Sequence, residues 1–246
     1  MPTSSPTHAA RSVARRLFLT LALALVVLGA PALAQQDYVS QFDAYIGYSF
    51  LNSSSVSLFE NGFHFQAGWN ARTWTAIGFD YSRSTGDLML VSNMLLPSLQ
   101  QALGAQLGAL AAAGKLPPGY TVAVRTSSVT QTFAAGPQIM IRHWKPVTLF
   151  VRPSIGAIYD EATPHPADPI AAGIVAQLAP SGHKTDWVPF YGAGGGLDWN
   201  LHRNFGVRVQ VDVVHDYLFS DLLKSSRNTV RFSVGPSFRF GKNIVR

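Results

Sequence analysis

Thr229 to Phe240 alternates without a break. One face carries Val230, Phe232, Val234, Pro236, Phe238 and Phe240. The other carries Thr229, Arg231, Ser233, Gly235, Ser237 and Arg239. A period of two defines an extended strand with one apolar and one polar side. A chain that must bury such a strand needs an apolar surround for one face and a polar partner for the other.

The start of the chain reads as an export signal. Arg11, Arg15 and Arg16 form a basic region, Leu17 to Gly29 an apolar one, and Ala32-Leu33-Ala34 a small-x-small cleavage site. The apolar run is well short of the ~20 residues of a spanning helix. Arg15-Arg16 also fits a twin-arginine signal, but the strongly apolar run suits the general secretion route. The expected organisation is therefore a cleaved signal peptide at 1–34 and one domain at 35–246. Without the three signal arginines, 16 basic residues face 13 acidic ones. That balance is too even to point to nucleic acid.

The chain has no Cys, two Glu and five Lys. Disulfide and thiol chemistry are excluded. A water-facing surface is normally rich in Lys and Glu, so their scarcity implies that much of this surface does not meet water.

Seven further segments alternate like the first. They are Gln41–Phe50, Gly62–Asn70, Trp74–Arg83, a fourth ending at Ile141, Val147–Asp160, Trp187–Leu201 and Phe205–Tyr217. Short connections at Asn70–Thr73, His143–Pro146 and His202–Asn204 alternate with longer ones, of which Ser84–Tyr120 and Glu161–Asp186 are the longest. Trp69, Trp74, Trp144 and Trp199 flank the short turns, as an interfacial aromatic girdle would, and Trp187 lies at an opposite strand end. Even strand number, short turns on one side and long loops on the other predict an all-β, eight-stranded, antiparallel up-and-down transmembrane barrel with both ends in the periplasm. Ten strands remain open if Thr121–Thr130 pairs separately from Gln131–Ile141.

From Gln41 to Phe240 the pattern resembles the small eight-stranded OmpA/OmpX-type outer-membrane barrels. The sharpest local likeness is Ser233-Val234-Gly235-Pro236-Ser237-Phe238-Arg239-Phe240, which is similar to the terminal signal read by the barrel-assembly machinery, with Gly235, Phe238 and Phe240 at its key positions. The chain departs from that family in continuing to Arg246 beyond the aromatic. The resemblance implies an outer-membrane location, contact with outer-membrane lipids and the assembly machinery, and a structural, adhesion or surface-recognition role with an extracellular ligand or partner. A small channel for polar solutes is the alternative. A lipid A- or protein-modifying enzyme ranks below both.

Eight strands leave an interior that side chains can fill. The polar faces supply Asp43, Asp80, Asp198 and Asp212 against Arg152, Arg208, Arg231 and Arg239. Matched charges in a closed lumen are expected to pair, with Asp43 level with Arg239 and Asp198 level with Arg208. No catalytic, cofactor or metal residues are assigned. No mature His is followed at two positions by Ser, His215-Asp216 reads as a strand end, and His165 and His183 with Asp168 and Asp186 match no ligand spacing.

The long loops carry helical periods. Leu99, Leu103, Leu107 and Leu110 follow Pro97 in a stretch without charge from Leu88 to Gly114; Ile170, Ile174 and Leu178 follow Pro169. Asn93, Pro97 and three Gln argue against a spanning helix there. Two apolar-faced helices are expected to pack as an extracellular cap over the barrel mouth.

Overall fold

In the computed structural model, which describes residues 36–53, 56–224 and 227–245, every strand pairs with its neighbour in sequence. The strands are β1 (Ser40–Ser53), β2 (Leu58–Arg72), β3 (Thr75–Val91), β4 (Ala123–Trp144), β5 (Val147–His165), β6 (Lys184–His202), β7 (Phe205–Asp216) and β8 (Arg227–Asn243). All neighbours are antiparallel, and β8 returns to β1 to close the barrel. Closure leaves no unpaired edge, the condition for crossing a bilayer in strands. The proposed signal segment lies outside the described residues.

The alternation sets the faces. Phe42, Ile46, Tyr48 and Phe50 on β1 point out, and Asp43, Tyr45 and Ser49 between them are buried. On β8, Val230, Phe232, Phe238 and Phe240 point out, while Arg231, Ser233 and Arg239 are buried. Phe42–Phe50 and Val230–Phe240 have the length a tilted spanning strand needs, about 9–11 residues.

Most strands run further than the alternation of apolar residues indicates, four of them by the widest margin. β3 continues past Arg83 to Val91, β4 begins at Ala123, β5 continues to His165 and β6 begins at Lys184. Thr121–Thr130 does not form a separate strand: its residues from Ala123 onward run unbroken into Gln131–Ile141, so eight strands close the barrel. The reason the extensions are hard to read is physical. Above the lipid the outward face turns polar at Arg83, Thr85, Asp87, Arg125 and Ser127, and the inward face turns apolar at Leu88, Leu90 and Val124. The greasy side changes face, so the pattern inverts.

The two helices are α1 (Pro97–Ala112) and α2 (Pro169–Leu178), each with its proline in the first turn. Leu103 of α1 and Ala171 of α2 are buried in one apolar cluster with Leu95, Val122 and Val124. The Gln106 amide donates to Gln177 at 2.9 Å, a second tie between the helices. Leu96 N–H donates to the Leu222 carbonyl at 2.9 Å, and Lys224 N–H to that of Met94 at 3.0 Å. These bonds bind the loop after β3 to the loop after β7 across the mouth. Among the described residues no helix is long and apolar enough to cross a membrane.

The described residues beyond Phe240, 241–245, are tied into the barrel. Gly241 to Asn243 continue β8, Asn243 Oδ1 accepts from Val39 N–H at 3.0 Å, and Ile244 N–H donates to the Val39 carbonyl at 2.9 Å. The tail thus ties the segment ahead of β1 to the closing strand.

Candidate functional site

The lumen is a stack of side-chain layers. At the short-turn end, Asp198 and Arg208 stand opposite each other in the β6–β7 register and form a two-pronged pair at 2.7 and 2.8 Å. Such forked geometry is the strong form of a carboxylate–guanidinium contact. A nitrogen of Arg208 also lies 3.3 Å from Asp43, and its guanidinium sits over the Phe150 ring at 4.8 Å. Asp43 and Arg239 are level in the β1–β8 register, as the spacing predicts. Their nearest ionic partners differ from that expectation: Asp43 takes Arg208, and Arg239 lies 3.8 Å from Asp198. At the seam, register fixes the height of each charge but not its partner.

The central layer joins six strands. Arg231 donates to Asp212 at 2.8 and 3.1 Å, to Asp80 at 3.2 Å, and to Ser82 and Thr132 at 2.8 and 3.0 Å. Arg152 contacts both Asp80 and Asp212, the latter at 3.2 Å. His64 closes the ring, 3.0 Å from Ser233 through Nδ1 and 3.5 Å from Asp80 through Nε2. Two carboxylates and two guanidiniums pair with one another here, and all four are buried.

Sequence reasoning missed a third ionic layer toward the loops. Glu60 accepts from Thr130 at 3.0 Å; Asp160 accepts from Ser128 at 2.7 Å; Arg227 donates to Asp216 at 3.1 Å and reaches Asp160 at 3.5 Å. Arg142 is also drawn inward, donating to Asn70 at 2.8 Å and to the Thr73 carbonyl at 2.9 Å. The simple match of four acids to four bases therefore does not describe this lumen. Nor is it polar throughout. Ala76, Met140 and Phe150 form one apolar cluster, and Leu58, Ala134, Ile158, Phe190 and Val214 another beneath Leu218 and Phe219. The glycines of β6 give room for these rings: a side chain on Gly196 would meet Phe150, and one on Gly194 would meet Asp212.

The outer wall carries two aromatic belts. Trp69, Trp74 and Trp199 are exposed at the short-turn end, with Trp144 half-buried beside them. At the loop end the rings form a chain that sequence reasoning reduced to Trp187 alone. Phe63–Tyr81, Tyr81–Phe133, Phe133–Trp187 and Tyr159–Trp187 are 5.9, 4.9, 5.8 and 5.9 Å apart. Cross-strand register brings them together, and register is not visible in a single segment. Between the belts the exposed side chains are apolar, including Ile77, Phe79, Val151, Ile155, Val211 and Val213. A continuous apolar band between two aromatic belts is the lipid contact of a membrane-spanning barrel.

The candidate catalytic and metal groups separate. His215 faces out and bonds Asn228 at 2.8 Å, whereas Asp216 faces in and bonds Arg227, so adjacent residues lie on opposite faces. Asp168 caps α2, and Asp186 accepts from Phe219 N–H. His165 does meet a serine, Ser127 of the adjacent strand, with Nε2 3.0 Å from the hydroxyl. Asp87, however, accepts from that same hydroxyl at 2.9 Å and pairs with Arg125 at 2.8 Å. The acid lies on the serine and not behind the imidazole, which is not the arrangement that orients a general base. Among the described residues no group of three His, Asp or Glu side chains fits a metal ion.

Gly235, Phe238 and Phe240 lie on the closing strand. Both rings face out; Phe240 stacks on Phe42 at 5.8 Å, and Gly235 lets the β1 backbone approach at Ile46 and Gly47.

No protein-family model and no curated protein matches the chain. Solved structures do. Ail, the attachment invasion locus protein of Yersinia pestis, is 13% identical over 81% of this chain and 97% of its own, with a TM-score of 0.46. Neisserial surface protein A is 10% identical over 81% and 96%, with a TM-score of 0.46. The outer membrane protein OprG of Pseudomonas aeruginosa is 8% identical over 85% and 99%, with a TM-score of 0.43. The closed order of eight strands, the lipid-facing band and the filled lumen are the architecture of the small eight-stranded outer-membrane β-barrels.

Proposed function

We propose that this protein is an exported, non-enzymatic outer-membrane barrel whose role is structural or surface-recognising and whose working surface is the helical cap. The observation that carries the reading is the central layer, where Asp80, Arg152, Asp212 and Arg231 from four strands bond across the lumen. Ion pairs made away from water hold the barrel shut, because separating them leaves charges buried without partners. The helices α1 and α2, tied to each other and to the loop after β7, present an uncharged surface outward. In this reading residues 1–34 direct export, the assembly machinery receives the closing strand, and outer-membrane lipid surrounds the band.

A small channel for polar solutes is the second reading. Its support is the amides of Gln66 and Gln138, which are buried between two charged layers without a hydrogen-bond partner. Planar-bilayer recording on the refolded protein separates the two. The first reading expects no unitary current steps; discrete, ion-selective steps favour the channel.

A further inference from the structure

Beneath the cap lies a cavity of about 70 Å³. Its walls come from three directions: Leu88 and Leu90 of β3, Val175 and Leu178 of α2, and Leu222 and Leu223 of the loop after β7. Its floor is the outer ionic layer, where Asp160 and Arg227 are engaged with each other and with Ser128 and Asp216. The polar atoms below are committed to one another, and the wall facing the space is hydrocarbon. A water needs two to four polar partners and about 10–15 Å³; this space exceeds that volume and offers it little to bond. An apolar cavity of roughly 150 Å³ accepts benzene or xenon. A space about half that size suits a xenon atom or a hydrocarbon segment of a few carbons.

We propose that this chamber is a binding site for small apolar molecules, or for the end of a hydrocarbon chain, entered beside α2 under the extracellular cap. It goes beyond the surface role of the cap and does not require the barrel to conduct. The elements around it are suited to opening. α2 rests on the cap through Ala171 and its neighbours, while Ala179 at its C-terminal end borders the chamber. A small outward shift of that end enlarges the space without touching the ionic layer.

The test is methyl NMR of the full mature protein in nanodiscs under rising xenon pressure. Saturable shifts are expected at the methyls of Val175, Leu178, Leu222 and Leu223, with only weak, linear shifts at lipid-facing Val211 and Val213. Filling the chamber with Ala162→Leu, or from its other wall with Ala179→Leu, should reduce the shifts at least severalfold. Ala193→Leu on the lipid face should leave them unchanged. Magnetisation transfer from lipid chain protons to the Leu222 methyls before xenon is added supports the site with lipid as its source; its absence alongside saturable xenon shifts supports a free small molecule. The proposal is overturned if the chamber methyls respond no differently from Val211, or if a folded filling variant keeps the full response.

Discussion

Arg208 on β7 reaches past β8 to Asp43 on β1, 3.3 Å away, although Arg239 is the residue that stands opposite Asp43 in the strand register. The seam of the barrel is thus spanned by a contact across the lumen. A double-mutant cycle in urea should find the Asp43–Arg208 coupling within the range of contacting charged residues, about 0.5–3 kcal/mol, and above that of Asp43–Arg239. Truncating Arg208 alone to Leu should cost about 3–5 kcal/mol, because Asp198 and Asp43 lose their main counter-charge in a buried layer. Equal couplings for the two arginines would refute the assignment of partners.

Gly235 of β8 lies close against the β1 backbone. A Cβ there meets the Ile46 carbonyl and the Gly47 Cα, which is backbone and cannot rotate away. Gly235→Val should therefore lower the yield of folded barrel, read as the fraction that shifts mobility when heated before gel electrophoresis. Gly108→Ala on α1, where a Cβ meets open space, should fold normally and stabilise the helix locally by about 1 kcal/mol.

The anchor of α2 is expected to respond to acid. Asp168 accepts from the backbone N–H groups of Ala171 and Ile170 at 2.8 Å, and the Tyr120 hydroxyl donates to it at 2.9 Å. The N–H of Ala171 first, then Tyr120 and Ile170, hold its carboxyl below the usual carboxylate range. A carboxyl depressed in the folded state contributes stability that is present above its unfolded pKa of about 4 and is lost as pH falls through the lower folded value. Hydrogen-exchange protection of Ile174 and Val175 should hold from neutral pH to about pH 4 and fall below it. Asp168→Ala should reduce protection a few-fold at neutral pH and remove the acid dependence. Persistence of the acid dependence in that variant would assign it to another group.

The sequence makes the spanning parts of this barrel legible because lipid on one side and a filled lumen on the other impose opposite demands on alternate residues. Phe42 against Asp43, and Phe232 against Arg231, declare their faces unaided. Above the lipid those demands change. At Leu88 and Leu90 the apolar residues face inward under the cap, and Asp87 faces water, so β3 looks like a loop when only the lipid rule is applied. The helices were readable because Pro97 and Pro169 mark their starts and their leucines and isoleucines recur at helical spacing. The partners of the lumen charges were not readable. Glu60, Asp160 and Asp216 sit near strand ends, where polar residues are expected anyway. The choice of Arg208 by Asp43 depends on side chains crossing the lumen, which no single strand records.

The proposal that the lumen is sealed is tested most directly by thiol accessibility, because the chain has no Cys to interfere. Ser82 and Ser233 are buried in the central layer, beside Arg231 and His64; Ser181 is exposed in the loop after α2. Ser181→Cys should react with a small, charged, membrane-impermeant thiol reagent on intact cells. Ser82→Cys and Ser233→Cys should stay unreacted on cells and on opened envelopes, where the reagent reaches both mouths of the barrel. Reaction at Ser82→Cys or Ser233→Cys at a rate near that of Ser181→Cys would show an open aqueous path and contradict the account.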